Sequence, residues 1–129
     1  MPLTLRFHNQ LLTMCQLPIG APVPVDILTR PMTAFFRTHD ETTLLCSSAL
    51  APKNAKSESG FIAIELVGPF AFNATGILTQ IANPLAAANI AIVPFSTFNT
   101  GYILIKTDRR QTAIEALKNA GHTIIEAGS

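Results

Sequence analysis

The sequence has no tryptophan and one tyrosine, and only 13% of its 129 residues are charged. That is roughly half the usual share of about 25%, so much of the surface is expected to be neutral or covered. Nine Lys and Arg stand against eight Asp and Glu, for a net charge of +1. A nucleic-acid binder usually carries a basic stripe and a high pI. With a pI near 7.8, nucleic acid and anionic membrane surfaces are both excluded as partners. Cysteine is scarce too. Cys15 and Cys46 each sit in an apolar stretch, outside any CxxC pair and without a histidine at metal spacing. They are expected to be buried free thiols in a reducing cytoplasm, though a Cys15–Cys46 bond stays open. Residues 1–8 lack the apolar core of a signal peptide. From Leu66 to Ile105 there is no charged residue at all. Yet Gln80, Asn83, Pro84, Asn89 and Asn99 interrupt that span, so no membrane-spanning run exists.

Catalytic signatures are missing as well. There is no GxSxG, P-loop, HExxH or GxGxxG pattern, and His8, His39 and His122 are scattered. His39-Asp40-Glu41 is the one titratable cluster. Adjacent turn residues point in different directions, so it reads as a solvated hairpin turn. No enzyme, metal or cofactor is expected. Phe61, Phe95 and Phe98 could suggest base stacking, but the basic neighbours that stacking aromatics keep are missing around Phe95, and the three rings read as core.

What is present is strand and helix punctuation. Leu11–Leu17 reads as a strand, residues 18–24 as a loop, and Val25–Leu28 as a short helix. Met32–Thr38 and Thr42–Ser47 read as a hairpin, and Ala49–Ala55 as another short helix. Lys53–Gly60 is a polar hinge. Gly60–Val67 is a strand with β-branched and aromatic content. Asn73 can cap a helix from Ala74, in which Ile77, Leu78, Ile81 and Leu85 recur at helical spacing and Pro84 forces a kink near Gln80. Ile90–Phe98 and Gly101–Thr107 form a second hairpin. Asp108 and Gln111 suggest a capping box for a helix with Ala113, Leu117 and Ala120 inward, ended by Gly121. His122–Ala127 is the last strand.

The two hairpins match at a constant offset of 59 residues: Phe36-Arg37-Thr38 with Phe95-Ser96-Thr97, and Leu44-Leu45-Cys46 with Ile103-Leu104-Ile105. A constant offset over strand, turn and strand marks an internal repeat. Each copy reads β-α-β-β-α-β. The expected fold is α+β, ferredoxin-like, with two repeats of antiparallel sheet: residues 1–59 with degenerate helices, and residues 60–129.

The segment Gly68-Pro69-Phe70-Ala71-Phe72-Asn73-Ala74-Thr75-Gly76-Ile77-Leu78 places a loop and a helix start after a strand. Free N–H groups there can hold a carboxylate. Together with Pro84-Leu85-Ala86 and Phe95-Ser96-Thr97-Phe98-Asn99-Thr100, it resembles the ACT-domain family. The likeness is to small tandem-ACT proteins related to the CASTOR-type arginine sensors and to aspartate kinase regulatory domains. Arg37-Thr38-His39-Asp40-Glu41 resembles the matching hairpin of the first repeat. The resemblance implies a non-catalytic module that holds an amino acid between ACT units. Asn73, Ala74, Thr75, Gly76 and Ile77 would hold the carboxylate end, and Ser96, Thr97, Phe98 and Asn99 would line the opposite wall. Where such hairpins carry acids, this chain has Asn99 and Gly101. The amine would then be held elsewhere, by Asp40 or Glu41, or the ligand is of another kind, or binding has been lost. A second reading is an assembly module with no ligand, because the helix after Asn73 shows an uncharged face suited to a homo-oligomer.

Overall fold

The computed structural model describes residues 2–70 and 75–127. Its elements in chain order are strands β1 (Thr4–Phe7) and β2 (Leu12–Leu17), helix α1 (Val25–Leu28), and strands β3 (Ala34–Arg37), β4 (Thr42–Ser47) and β5 (Lys56–Leu66). Helix α2 (Ile77–Ala87), strands β6 (Val93–Ser96) and β7 (Gly101–Lys106), helix α3 (Arg110–Asn119) and strand β8 (Thr123–Glu126) follow. The fold is α+β, as expected. The chain forms two compact units: an inserted unit, Leu11–Phe61, and a main unit, Met1–Gln10 with Ile62–Ser129. The first ten residues group with the C-terminal part.

In the inserted unit the strand order is β3-β4-β2-β5, every ladder antiparallel. The stretch expected to be a polar hinge is instead the first part of β5, with Lys56, Ser57 and Glu58 facing Gln16, Cys15 and Met14. Those residues are exposed; backbone pairing, not side-chain burial, makes them a strand. The register slips between Leu12 and Met14. Gly60, at φ +81, supplies the backbone of this bulge. The expected helix at Ala49–Ala55 is only a 3₁₀ turn, Ser48–Leu50, because Ala51 is already extended ahead of Pro52. Cys15, Leu44 and Cys46 form this unit's core. Both cysteines are free, and burial raises both thiol pKa values.

The main unit opens with strand β1, near the N-terminus. In β1, Leu5 and Phe7 are buried while Thr4 and Arg6 are not. That two-residue alternation was there to be read. Strand β1 pairs antiparallel with β5 and parallel with β8, which departs from the purely antiparallel expectation. Strand β7 pairs with β5 and β6. The core joins Leu5, Phe7, Ile62, Ile64, Ile81, Leu85, Ile103 and Leu117.

The repeat is visible in the hairpins. Ala34 faces Leu45 and Arg37 faces Thr42; 59 residues on, Val93 faces Leu104 and Ser96 faces Gly101. Each hairpin closes with the same bond, Thr38 N–H to Glu41 C=O at 2.9 Å and Thr97 N–H to Thr100 C=O at 3.0 Å. Thr38 Oγ1 also accepts from Asp40 and Glu41 N–H, so the His39–Glu41 cluster is an exposed turn.

Two helix boundaries move. Helix α2 begins at Ile77, not Ala74, after Gly76 takes a left-handed conformation at φ +74. Helix α3 begins at Arg110 after a 3₁₀ turn over Thr107–Arg109, and Asp108 does not cap it. Gln111 reaches forward to Glu115 rather than back. Within α3, Ile114 is buried and Ala120 exposed.

Candidate functional site

The site lies in the main unit, where β5 ends and the chain passes toward α2. A cavity of about 520 Å³ opens there, walled by the start of α2 and by the β6–β7 hairpin. This volume is within the range of small-molecule sites. Of the residues expected to bind a ligand, Gly76, Ile77, Ser96, Thr97, Phe98 and Asn99 line it. Thr75 precedes them in the chain without lining the cavity. Asn73 and Ala74 lie outside the described residues, as does the proposed cap at Asn73.

The loop and the hairpin are joined by the Phe70 N–H, which donates to the Asn99 carbonyl at 2.8 Å. Gly68 makes that approach possible. A Cβ on it would lie 2.7 Å from the Asn99 carbonyl oxygen and 3.0 Å from Phe70 N. The opposite wall is stiffened by the Thr97–Thr100 hydroxyl bond of 2.7 Å. Phe95 stacks on Tyr102, its cross-strand partner, with centroids 5.8 Å apart. At Gly76 an added Cβ would meet nothing within 4 Å, so the backbone there faces open space.

Leu78, Phe95 and Tyr102, which are not among the residues expected to bind a ligand, also line the cavity. Leu78 was assigned to the apolar stripe of α2, but it is exposed while Ile81 and Leu85 are fully buried. It sits one residue past Ile77, off the i, i+4 line that Ile77, Ile81 and Leu85 follow. The signal for Phe95 and Tyr102 was the hairpin register, which sets them opposite each other.

Next to this wall, on β1 and β5, Glu65 accepts from both Arg6 Nη1 (3.2 Å) and His8 Nε2 (2.8 Å). Burial alone would raise the Glu65 carboxyl pKa. The hydrogen bonds and charges of His8 and Arg6 outweigh it and hold the carboxyl below its ordinary value. The Tyr102 phenol is pushed up, first by burial and then by the Glu65 charge.

A separate polar bridge fixes α2 in place. Pro84 has no N–H, so the Gln80 carbonyl loses its helical donor. His122 Nε2 lies 3.2 Å from that carbonyl, and His122 Nδ1 accepts from Leu3 N–H at 3.1 Å. Since Leu3 N–H can only donate, Nδ1 is the acceptor and Nε2 carries the proton.

A sheet, helices and a cavity in this arrangement define a ferredoxin-like α+β protein with a small-molecule-sized site and, among the described residues, no cluster of metal ligands. The chain resembles the ACT-domain family: residues 56–119 match the ACT domain family model. It is 44% identical over 50 residues to the human "Cytosolic arginine sensor for mTORC1 subunit 1". That match covers 39% of this chain and 15% of the relative, so the chain spans only a small part of the sensor's length. A crystal structure from Agrobacterium tumefaciens is similar at TM-score 0.91 and 25% identity, covering 100% of this chain and 96% of the other. The regulatory subunit of aspartate kinase from Thermus thermophilus shares the fold at TM-score 0.63 and 9% identity, over 89% and 94%. Among the described residues, no helix is long and apolar enough to cross a membrane.

Proposed function

We propose that the chain is a non-catalytic regulatory module that binds a small molecule, an amino acid, in the main-unit cavity. The observation that carries this reading is the cavity itself, with a helix start on one side and a polar hairpin on the other. The first N–H groups of α2 have no acceptors within the helix and suit a carboxylate. Ser96, Thr97 and Asn99 offer oxygens to an ammonium group. The family supports the reading, since relatives are named as an arginine sensor and as a kinase regulatory subunit. A cytoplasmic setting goes with it, because Cys15 and Cys46 are free.

A thermal-shift screen with the twenty amino acids and a set of other small carboxylates tests it. At about 100 times its dissociation constant, a ligand adds about 2.7 kcal/mol of stability. At least one amino acid should raise the melting temperature, and Gly76→Val, measured from its own baseline, should lose that response. Valine at φ +74 is strained, so the backbone at the start of α2, which would hold the carboxylate, has to shift. A screen with no response to any amino acid would refute the binding reading.

A second reading, assembly, rests on α2. Thr79, Asn83, Ala86 and Ala87 are exposed and uncharged, whereas solvated helix faces usually carry charge. We propose that this face contacts a second copy. Ala87→Glu should convert an oligomer to a folded monomer by light scattering at about 100 μM, because the added carboxylate loses its water in the contact. A wild-type monomer at that concentration would rule this out.

A further inference from the structure

Among the described residues, the walls of the main-unit cavity carry no formal charge. Every lining residue falls between Leu66 and Tyr102, and the whole span Leu66–Ile105, loop included, lacks Asp, Glu, Lys, Arg and His. The carboxylate nearest in sequence, Glu65, does not line the cavity and is already engaged by Arg6 and His8. The polar wall is partly committed as well, with the Thr97 hydroxyl bonded to Thr100. The remaining surface is apolar and aromatic, from Phe70, Ile77, Leu78, Phe95 and Phe98. We infer that, on the amino-acid reading above, the ligand has a neutral apolar side chain. The aliphatic and aromatic amino acids are accepted, and the basic and acidic ones are rejected.

The physical reason is desolvation. The few polar groups of the walls are taken by the ligand's own ammonium and carboxylate, so a further guanidinium, ammonium or carboxylate on the side chain gives up water with no opposite charge and no free hydrogen-bond partner to offset the loss. An apolar side chain gains by leaving water against Ile77, Leu78 and the aromatic rings. The backbone ends of every amino acid are the same, so they are held equally well whatever the side chain. Selection therefore falls on the side chain, and arginine recognition does not carry over from the matched sensor.

Isothermal titration calorimetry of the full chain with leucine, phenylalanine, arginine and glutamate separates the outcomes. Leucine or phenylalanine should bind at least about tenfold more tightly than arginine and glutamate. Tighter binding of arginine or glutamate overturns this inference and leaves the amino-acid reading standing. Heat from none of the four, with a silent thermal-shift screen, overturns both. Asn99→Asp, at an exposed position, puts one carboxylate on the wall and should improve arginine relative to leucine by about tenfold. An unchanged ratio would show that wall neutrality does not set the preference.

Discussion

Replacing His122 with Leu should destabilise the protein by about 1–3 kcal/mol, seen as a fall of several degrees in melting temperature. Leucine fills similar space at a buried site, where His122 is 8% exposed, so the loss reports polar groups and not a cavity. Two backbone groups are orphaned at once, Leu3 N–H and the Gln80 carbonyl. Both bonds are part-buried, so each lost partner costs the low end of the range for an unsatisfied group, about 1 kcal/mol. The Gln80 carbonyl needs His122 only because Pro84 cannot donate to it. In a Pro84→Ala background the residue 84 amide takes that role. The cost of His122→Leu should then shrink by about 1 kcal/mol. An equal cost in both backgrounds would show that the Nε2 bond contributes nothing.

This bridge also shows where sequence reading stops. Pro84 announces a broken helical bond, but its remedy lies 42 residues from Gln80, and the other arm of the bridge spans 119 residues. No local pattern joins them. The hairpins were legible because their signal is local: a tight turn, flanking β-branched residues and a fixed offset. Residues 56–59 were not, because Lys, Ser and Glu there resemble a hinge. Only the partner strand β2 turns them into a ladder. Strand β1 was short, yet its alternation of Leu5 and Phe7 with Thr4 and Arg6 was readable. At the site, the hairpin wall from Ser96 to Asn99 was legible from family likeness. The helix start was displaced by three residues, because Gly76 takes a left-handed conformation that sequence alone does not require. Leu78 reached the cavity for the same reason: once α2 starts at Ile77, its first turn faces the opening.

The cavity's shape depends on one close approach, and Gly68→Ala tests it. The added methyl would sit 2.7 Å from the Asn99 carbonyl oxygen and 3.0 Å from Phe70 N, both backbone atoms that cannot rotate away. The loop must then retreat from the hairpin, and the Phe70–Asn99 bond of 2.8 Å lengthens or breaks. Overpacking of this kind costs about 1–3 kcal/mol, and the loss of the loop bond adds about 1 kcal/mol. Gly101→Ala is the matched comparison. It also lines the cavity, but its Cβ would meet only Phe95 O at 3.8 Å and Leu66 Cδ2 at 3.9 Å, ordinary contacts. Its backbone avoids the left-handed region, so alanine there should be neutral or stabilising by up to about 1 kcal/mol. Thermal denaturation of the two variants side by side should therefore give shifts of opposite character. Only Gly68→Ala should also lose the response to an added ligand, because the loop that carries Phe70 has left its place against the hairpin. Equal melting temperatures for the two variants would mean that the loop yields freely and that Gly68 does not set the width of the cavity.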